Sequence, residues 1–250
     1  MAAAAEHPWR GPAAMVVALG IAAGVVGAVQ ALRRRGALGA LAARKLMHIA
    51  TGLVFIATWP LFGCGPHARR WAAAVPGAMT LRFVAAGCGA VSDPQLVAST
   101  TRTGDKRELL GGPTLYGAAH VAAALLCFTA GPAAAAALCA LCAGDGLADV
   151  AGRRWGGGAL GRLPWSRQKT WAGSLACLAG SWAATLAAIL YLRACGEPLG
   201  VGHLSISALS RGCALCAAAA AAVESLPFPE VDNLTVPLAA ALVAHAVFGA

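Results

Sequence analysis

Charge is what this chain has least of. Of its 250 residues only 12% are Asp, Glu, Lys or Arg, and just 10 are acidic. An ordinary soluble domain carries about 25% charged residues. The shortfall excludes a soluble globular domain, and the 59% hydrophobic content excludes disorder over most of the length. A Walker A loop is also missing, since Gly-x-x-x-x-Gly-Lys-Ser/Thr occurs nowhere. Nine cysteines are present, but the pairs Cys139/Cys142 and Cys213/Cys216 have no further Cys or His close by to complete a metal set. They read as small buried hydrophobes.

What remains is apolar sequence cut into runs. About eight of them suit helices crossing a bilayer roughly 30 Å thick: 13–31, 46–62, 71–92, 114–130, 132–148, 171–193, 205–223 and 234–249. The expected fold is all-α, a polytopic transmembrane helical bundle of about 7–8 spans. The 71–92 run, which contains Arg82, fits least well. Ala and Gly dominate many runs, which lets helices approach closely in lipid. The 13–31 run is followed by Arg33-Arg34-Arg35, the reverse of a cleaved signal, so it is expected to stay as a first helix. The stretch Met1 to Gly11, short and acidic at Glu6, does not read as a transit peptide.

The formal charge is +9, and its distribution carries topology. With the N-terminus on side one, side two receives 32–45, 93–113, 149–170 and 224–233, including Glu230. These segments hold most of the Lys and Arg. Beyond the tail, the opposite loops have only Arg69, Arg70 and Arg193. The bias puts side two on the cytosolic or stromal face. The basic residues read as topology signals and anion ligands, with no nucleic-acid partner.

Where acids are so scarce, their positions matter. Asp145 and Asp149 are four residues apart, on one helix face at a membrane edge. Two such carboxylates repel unless compensated, either by Mg²⁺ bridging phosphates or by an ion network with Arg153 and Arg154. Gly144, Gly146 and Gly152 surround them, and Gly156-Gly157-Gly158 follows. Glycines there can expose backbone N–H groups to an anion or simply loosen a loop. Downstream, Arg167 and Lys169 offer positive charge, while Thr170 can cap a helix that begins with Gly173-Ser174 just inside it. Glu224 ends an Ala-rich run, where an unpaired carboxylate is costly. Asp232 and Asn233 open the next run, as ligands or as a cap. Lys45 and His48 share one turn, as packing residues or as contacts to substrate or phosphate. Lys106 and Arg107, in the polar 102–113 loop, can close over a nucleotide or anchor the loop to anionic lipid.

Taken together, these segments resemble the polyprenol kinase family, in particular plant and algal phytol and farnesol kinases. The likeness rests on Arg44-Lys45-Leu46-Met47-His48 with Trp59-Pro60-Leu61-Phe62, and on Glu108-Leu109-Leu110 with Gly112-Pro113. It continues through Gly144-Asp145-Gly146-Leu147-Ala148-Asp149-Val150-Ala151-Gly152-Arg153-Arg154 and Gln168-Lys169-Thr170-Trp171-Ala172-Gly173-Ser174. It ends with Val223-Glu224-Ser225-Leu226-Pro227 and Asp232-Asn233-Leu234-Thr235-Val236-Pro237-Leu238. The resemblance runs from about residue 44 to the end. It implies a 44–250 catalytic domain preceded by a 1–43 segment of tail, first helix and basic loop. One departure is Gly111, where the family usually carries Arg; a phosphate contact there would pass to Lys106 or Arg107.

The resemblance implies transfer of a nucleotide's terminal phosphoryl group, typically from CTP, to an isoprenoid alcohol such as phytol, in tocopherol synthesis or phytol salvage. It implies a multi-pass protein of a chloroplast or plastid membrane. On this expectation Asp145 and Asp149 hold Mg²⁺. Asp145, Asp149, Lys169 and Glu224 act catalytically. Gly144, Gly146, Gly152, Arg153, Arg154, Arg167, Lys169, Thr170, Gly173, Lys106, Arg107, Asp232 and Asn233 surround the nucleotide. Alternatives are a farnesol, geranylgeraniol or dolichol kinase, a CDP-lipid synthase, and a transporter. No clear internal repeat of the transporter kind is evident.

Overall fold

The computed structural model describes residues 9–65, 67–128, 131–157, 161–227 and 231–249. Gly158, Glu230, and Glu6 with most of the N-terminal tail lie outside them. In chain order the elements are α1 (Arg10–Arg34), α2 (Ala40–Ala57), α3 (Trp59–Phe62), α4 (Ala68–Cys88), α5 (Pro94–Thr100), a 3-10 turn (Lys106–Leu110) and α6 (Gly112–Cys127). Then come α7 (Ala133–Cys139), a π turn (Ala140–Gly144), α8 (Asp145–Trp155), β1 (Arg162–Leu163), β2 (Ser166–Thr170), α9 (Trp171–Ala194), α10 (Ile206–Glu224) and α11 (Asp232–Phe248). Each of the eight apolar runs is occupied by helix. Seven are long and apolar enough to cross a membrane, and Asp232–Phe248 is a shorter apolar helix. The chain is a polytopic helical bundle, as the composition implies.

Three local features differ from the expectation. The second span breaks at Thr58, where the Thr58 hydroxyl donates to Phe55 O at 2.7 Å and Pro60 lies in the first turn of α3. The fifth span does not end before Asp149. It continues as α8 to Trp155 and stops at Gly156, with Asp149 and Arg153 paired one turn apart along it. Between Arg162 and Thr170 the chain forms an antiparallel β-hairpin, the only sheet among the described residues.

The fifth span is the centre of the bundle. In its most apolar window 78% of residues are buried, against 11–33% in the other six spans. Small side chains cause this: Ala133 through Ala143 contains only Ala, Leu and Cys, all buried. Close approach is mutual. A side chain at Gly144 would overlap Ser181 of α9, and one at Gly180 of α9 would come within 3.1 Å of Ala143 O.

Contacts sort the helix ends onto two rims. On one, Arg10 of α1 donates to Pro60 O and Leu61 O, and Tyr191 of α9 donates to Ala57 O. On the other, Arg33 of α1 donates to Ala98 O, Asn233 Nδ2 of α11 donates to Gly112 O, and Lys45 of α2 meets α8. All the ionic chemistry described next lies on this second rim.

Candidate functional site

The site grows from the π turn. An extra residue per turn shifts the backbone ladder and frees carbonyls locally, and such turns often occur at functional sites. Here Leu141 O meets His48 Nε2 at 3.0 Å. The same Nε2 lies 3.4 Å from Asp145 Oδ2. Both neighbours are acceptors, so Nε2 carries the ring proton.

Asp145 and Asp149, one turn apart on α8, share a single cation from α2. Lys45 Nζ lies 3.4 Å from Asp145 Oδ2 and 3.6 Å from Asp149 Oδ2. Arg153 Nε donates to Asp149 Oδ1 at 2.8 Å. Asp149 Oδ2 is nevertheless buried without a hydrogen-bond partner. Ser174 Oγ, in the first turn of α9, is in the same condition. Orphaned oxygens are costly and call for a ligand or water.

The second half of the site comes from α9, α10 and α11. Thr170 caps α9, its Oγ1 accepting from Gly173 N at 3.0 Å. The extended hairpin strand that leads into this cap delivers Lys169, whose Nζ lies 2.6 Å from Glu224 Oε1 and 3.7 Å from Asp232 Oδ2. Burial pulls the Lys169 pKa down, but the Glu224 carboxylate outweighs it and holds the ammonium above the ordinary lysine value. Asp145 acts electrostatically on both Lys169 and Glu224, so the two halves form one field.

A cationic edge flanks Asp149. Arg44 is within electrostatic reach of Arg102, Arg153, Asp149 and Glu108. Glu108 offsets part of this charge; its carboxylate is held by the backbone N–H groups of Arg102 at 2.6 Å and Thr103 at 2.8 Å. Arg44, Arg102 and Arg153 against the two carboxylates Asp149 and Glu108 leave a surplus of positive charge at the rim.

Thus Asp145, Asp149, Arg153, Lys169, Glu224 and Asp232 come together from distant parts of the sequence. The other expected residues lie outside these ion pairs. A side chain at Gly146 would overlap Ile49; one at Gly152 would lie 3.1 Å from Thr170 Oγ1, and one at Gly173 3.0 Å from Ala148 O. With Gly144, these glycines let helices touch. Asn233 ties α11 to the start of α6 through Gly112 O. Lys106 turns toward α4, over Gly89, and the backbone N–H of Arg107 is capped by Asp105. Arg154 and Arg167 are exposed, and the Arg167 carbonyl accepts from Arg162 within the hairpin.

Below Asp145 lies a chain of polar groups that sequence reasoning passed over. Tyr116 OH donates to His48 O at 2.7 Å and touches Cys142 Sγ at 3.3 Å. His120 Nδ1 faces Tyr116 O at 2.8 Å, and its Nε2 faces Cys142 Sγ at 3.5 Å. The i, i+4 spacing of Tyr116 and His120, inside an otherwise apolar run, was the available signal.

The residues fit a divalent cation. Two carboxylates converge, and one presents an unpartnered oxygen. Among the described residues no group of three or more His, Cys, Asp or Glu gathers to enclose a metal. Two carboxylates are as many as a hard divalent cation takes from protein when water and phosphate oxygens fill its other positions.

Fold and site define a polytopic membrane protein with an ionic site at one rim. The comparisons with known proteins place it further. The chain is 37% identical to probable phytol kinase 2, chloroplastic, of Oryza sativa subsp. japonica, over 93% of this chain and 74% of the relative. It is 34% identical to phytol kinase 1, chloroplastic, of Arabidopsis thaliana, over 94% and 76%. It is 36% identical to farnesol kinase, chloroplastic, of the same plant, over 86% and 68%. The chain belongs to the polyprenol kinase family, alongside phytol and farnesol kinases. No family model and no solved structure matches it.

Proposed function

We propose that this protein transfers the terminal phosphoryl group of a nucleoside triphosphate, CTP, to an isoprenoid alcohol, with phytol as the leading substrate. The products are the alkyl monophosphate and the nucleoside diphosphate. The observation that carries this reading is the convergence of Asp145, Asp149, Lys45, Lys169, Glu224 and Asp232 on one rim of an apolar bundle. The names of the relatives support the alcohol class and a plastid membrane. We take 44–250 as the catalytic part because every residue of the ionic site lies there; the likeness to the relatives, over 93–94% of the chain, also extends into 1–43.

Asp145 and Asp149 would hold Mg²⁺, which when bound supplies charge neutralisation to the phosphates. Arg153, with Arg44 and Arg102 beside it, offsets the negative charge of the triphosphate. Lys169 offers a further cation, while Glu224 and Asp232 keep its charge in place. The alcohol's hydrocarbon lies among the apolar helices and its hydroxyl reaches the rim. The hydroxyl oxygen forms its bond to the terminal phosphorus as the bridging P–O bond breaks, and the hydroxyl proton leaves to a rim carboxylate or water. Positioning and electrostatics supply most of the catalysis in such transfers.

Purified protein in lipid, given labelled CTP, ATP and UTP against phytol, farnesol, geranylgeraniol and dolichol, tests the reading. Phytyl monophosphate with cytidine diphosphate is expected. Nucleotide-linked lipid plus pyrophosphate would replace the kinase with a CDP-lipid synthase. Label crossing the bilayer with no product would replace it with a transporter.

A further inference from the structure

The Lys45 ammonium occupies the gap between the two carboxylates that the proposed kinase site assigns to a divalent cation. It lies 3.4 Å from one and 3.6 Å from the other, and its side chain is only 14% exposed. Lys45 Nζ donates to Asp145 Oδ2 in a long hydrogen bond and only pairs ionically with Asp149 Oδ2, whereas a strong charge-assisted hydrogen bond runs near 2.8 Å. The ammonium is shared, and Asp149 Oδ2 makes no hydrogen bond at all. A monovalent cation in this position keeps two like charges one helical turn apart from repelling each other. It also holds the place of a cation of higher charge.

We infer that Lys45 is a built-in counter-ion, a positioning residue that holds Asp145 and Asp149 together until the metal–nucleotide enters and displaces it. The inference rests on the kinase reading and deepens it. Free divalent cation alone must compete with a tethered ammonium and binds weakly. Metal arriving with a triphosphate brings new anionic oxygens, and the released ammonium turns to them. The exchange couples metal binding to nucleotide binding. His48 remains in place through Leu141 O at 3.0 Å, so the carboxylates do not lose their whole surround when Lys45 leaves.

The test is direct Mn²⁺ binding, read by electron paramagnetic resonance on purified protein in lipid without nucleotide. Lys45→Gln is the first variant, and Lys45→Met, which keeps the aliphatic stem, is the second. Removing a competing unit charge within 4 Å of both carboxylates is expected to tighten Mn²⁺ binding by roughly tenfold or more. Asp149→Asn in the Lys45→Gln background is expected to abolish the gain. A lysine with a merely structural role would give the opposite sign, since its loss would disorder the carboxylates and weaken binding. Unchanged, weaker or undetectable Mn²⁺ binding in both Lys45 variants, with native-like thermal unfolding, overturns the inference. Wild-type turnover with phytol and CTP, measured in the same preparation, separates the two claims. Turnover without an Mn²⁺ gain sinks the counter-ion and leaves the kinase, whereas an Mn²⁺ gain without any monophosphate product sinks the kinase and leaves the counter-ion.

Discussion

Lys169 Nζ and Glu224 Oε1, 55 positions apart in sequence, lie 2.6 Å apart at the rim where α9 begins and α10 ends. The Glu224 side chain is only 6% exposed, so it depends on its partner. Lys169→Met is expected to strand the carboxylate and destabilise the protein by about 3–5 kcal/mol, the usual cost of breaking a buried pair. The double variant Lys169→Met/Glu224→Met is expected to recover most of that stability, because both charges are gone, and to stay inactive. Thermal unfolding in detergent, paired with a phytol phosphorylation assay, reads both effects. A double variant with normal turnover would remove these residues from the catalytic machinery.

The same pair sets a pH expectation. The Lys169 pKa is raised in the folded protein, so its stabilisation is complete below the ordinary lysine value and is lost only as pH rises through the higher folded value. Between pH 7 and 9 the pair is expected to contribute a constant amount. Thermal unfolding of the wild type followed across that range should show no loss of stability from discharge of Lys169.

Asp149→Asn removes one charge from the face that Lys45 and Arg153 share and changes little in shape. Turnover is expected to fall at least about a hundredfold, in line with losing a principal electrostatic group at a phosphoryl-transfer site. Insertion and folding are expected to persist, because the amide oxygen can still accept from Arg153. Asp145→Asn should do likewise, with a larger effect on stability, since Asp145 faces both Lys45 and His48. Ordinary phosphorylation of phytol by either variant would contradict the proposed role.

Spans and site differed in how legible they were. The eight helices follow from hydropathy, because lipid allows few alternatives to a helix. The pairing of Asp145 with Asp149 follows from periodicity, and the Thr170 cap from residue type. The continuation of α8 past Asp149 to Trp155 did not follow, because the apolar run stops there and the polar stretch after it reads as a loop. The π turn was invisible, since Ala140–Gly144 has no composition that separates it from an α-helix. The glycines look like a phosphate loop in sequence, yet Gly144, Gly146, Gly152 and Gly173 all sit where another helix or side chain presses close. Only the identity of the opposing residue, Ser181 or Ile49 for example, reveals that use. Arg44 and Arg102 belong to separate segments and gained meaning only when folding brought Arg44 within electrostatic reach of both Arg102 and Asp149.

That cationic edge yields its own expectation. A charge-assisted hydrogen bond to phosphate contributes about 1.5–3 kcal/mol. Arg44→Ala and Arg102→Ala are each expected to raise the KM for nucleotide by roughly tenfold, leaving the KM for phytol nearly unchanged. The defect should shrink as salt is added, because screening weakens the wild-type attraction as well. Initial rates at low and high ionic strength check this. Equal loss for both substrates would mean that the arginines shape the bundle and do not face the nucleotide.

Gly144 and Gly157 separate packing from loop chemistry. At Gly144 a methyl group would overlap Ser181 Oγ and press on Cys177 Sγ at 3.2 Å. Overpacking of this kind costs about 1–3 kcal/mol, so Gly144→Ala is expected to unfold at lower temperature. It should also lose turnover, because the displaced segment is the π turn that supports Asp145 and supplies Leu141 O to His48. At Gly157 nothing lies within 4 Å, and Gly157→Ala is expected to leave stability unchanged. If Gly144 served the nucleotide only through its backbone N–H, its alanine variant, which keeps that N–H, would retain wild-type stability. Melting temperature and nucleotide KM, measured on both variants, distinguish the two uses of glycine at this site.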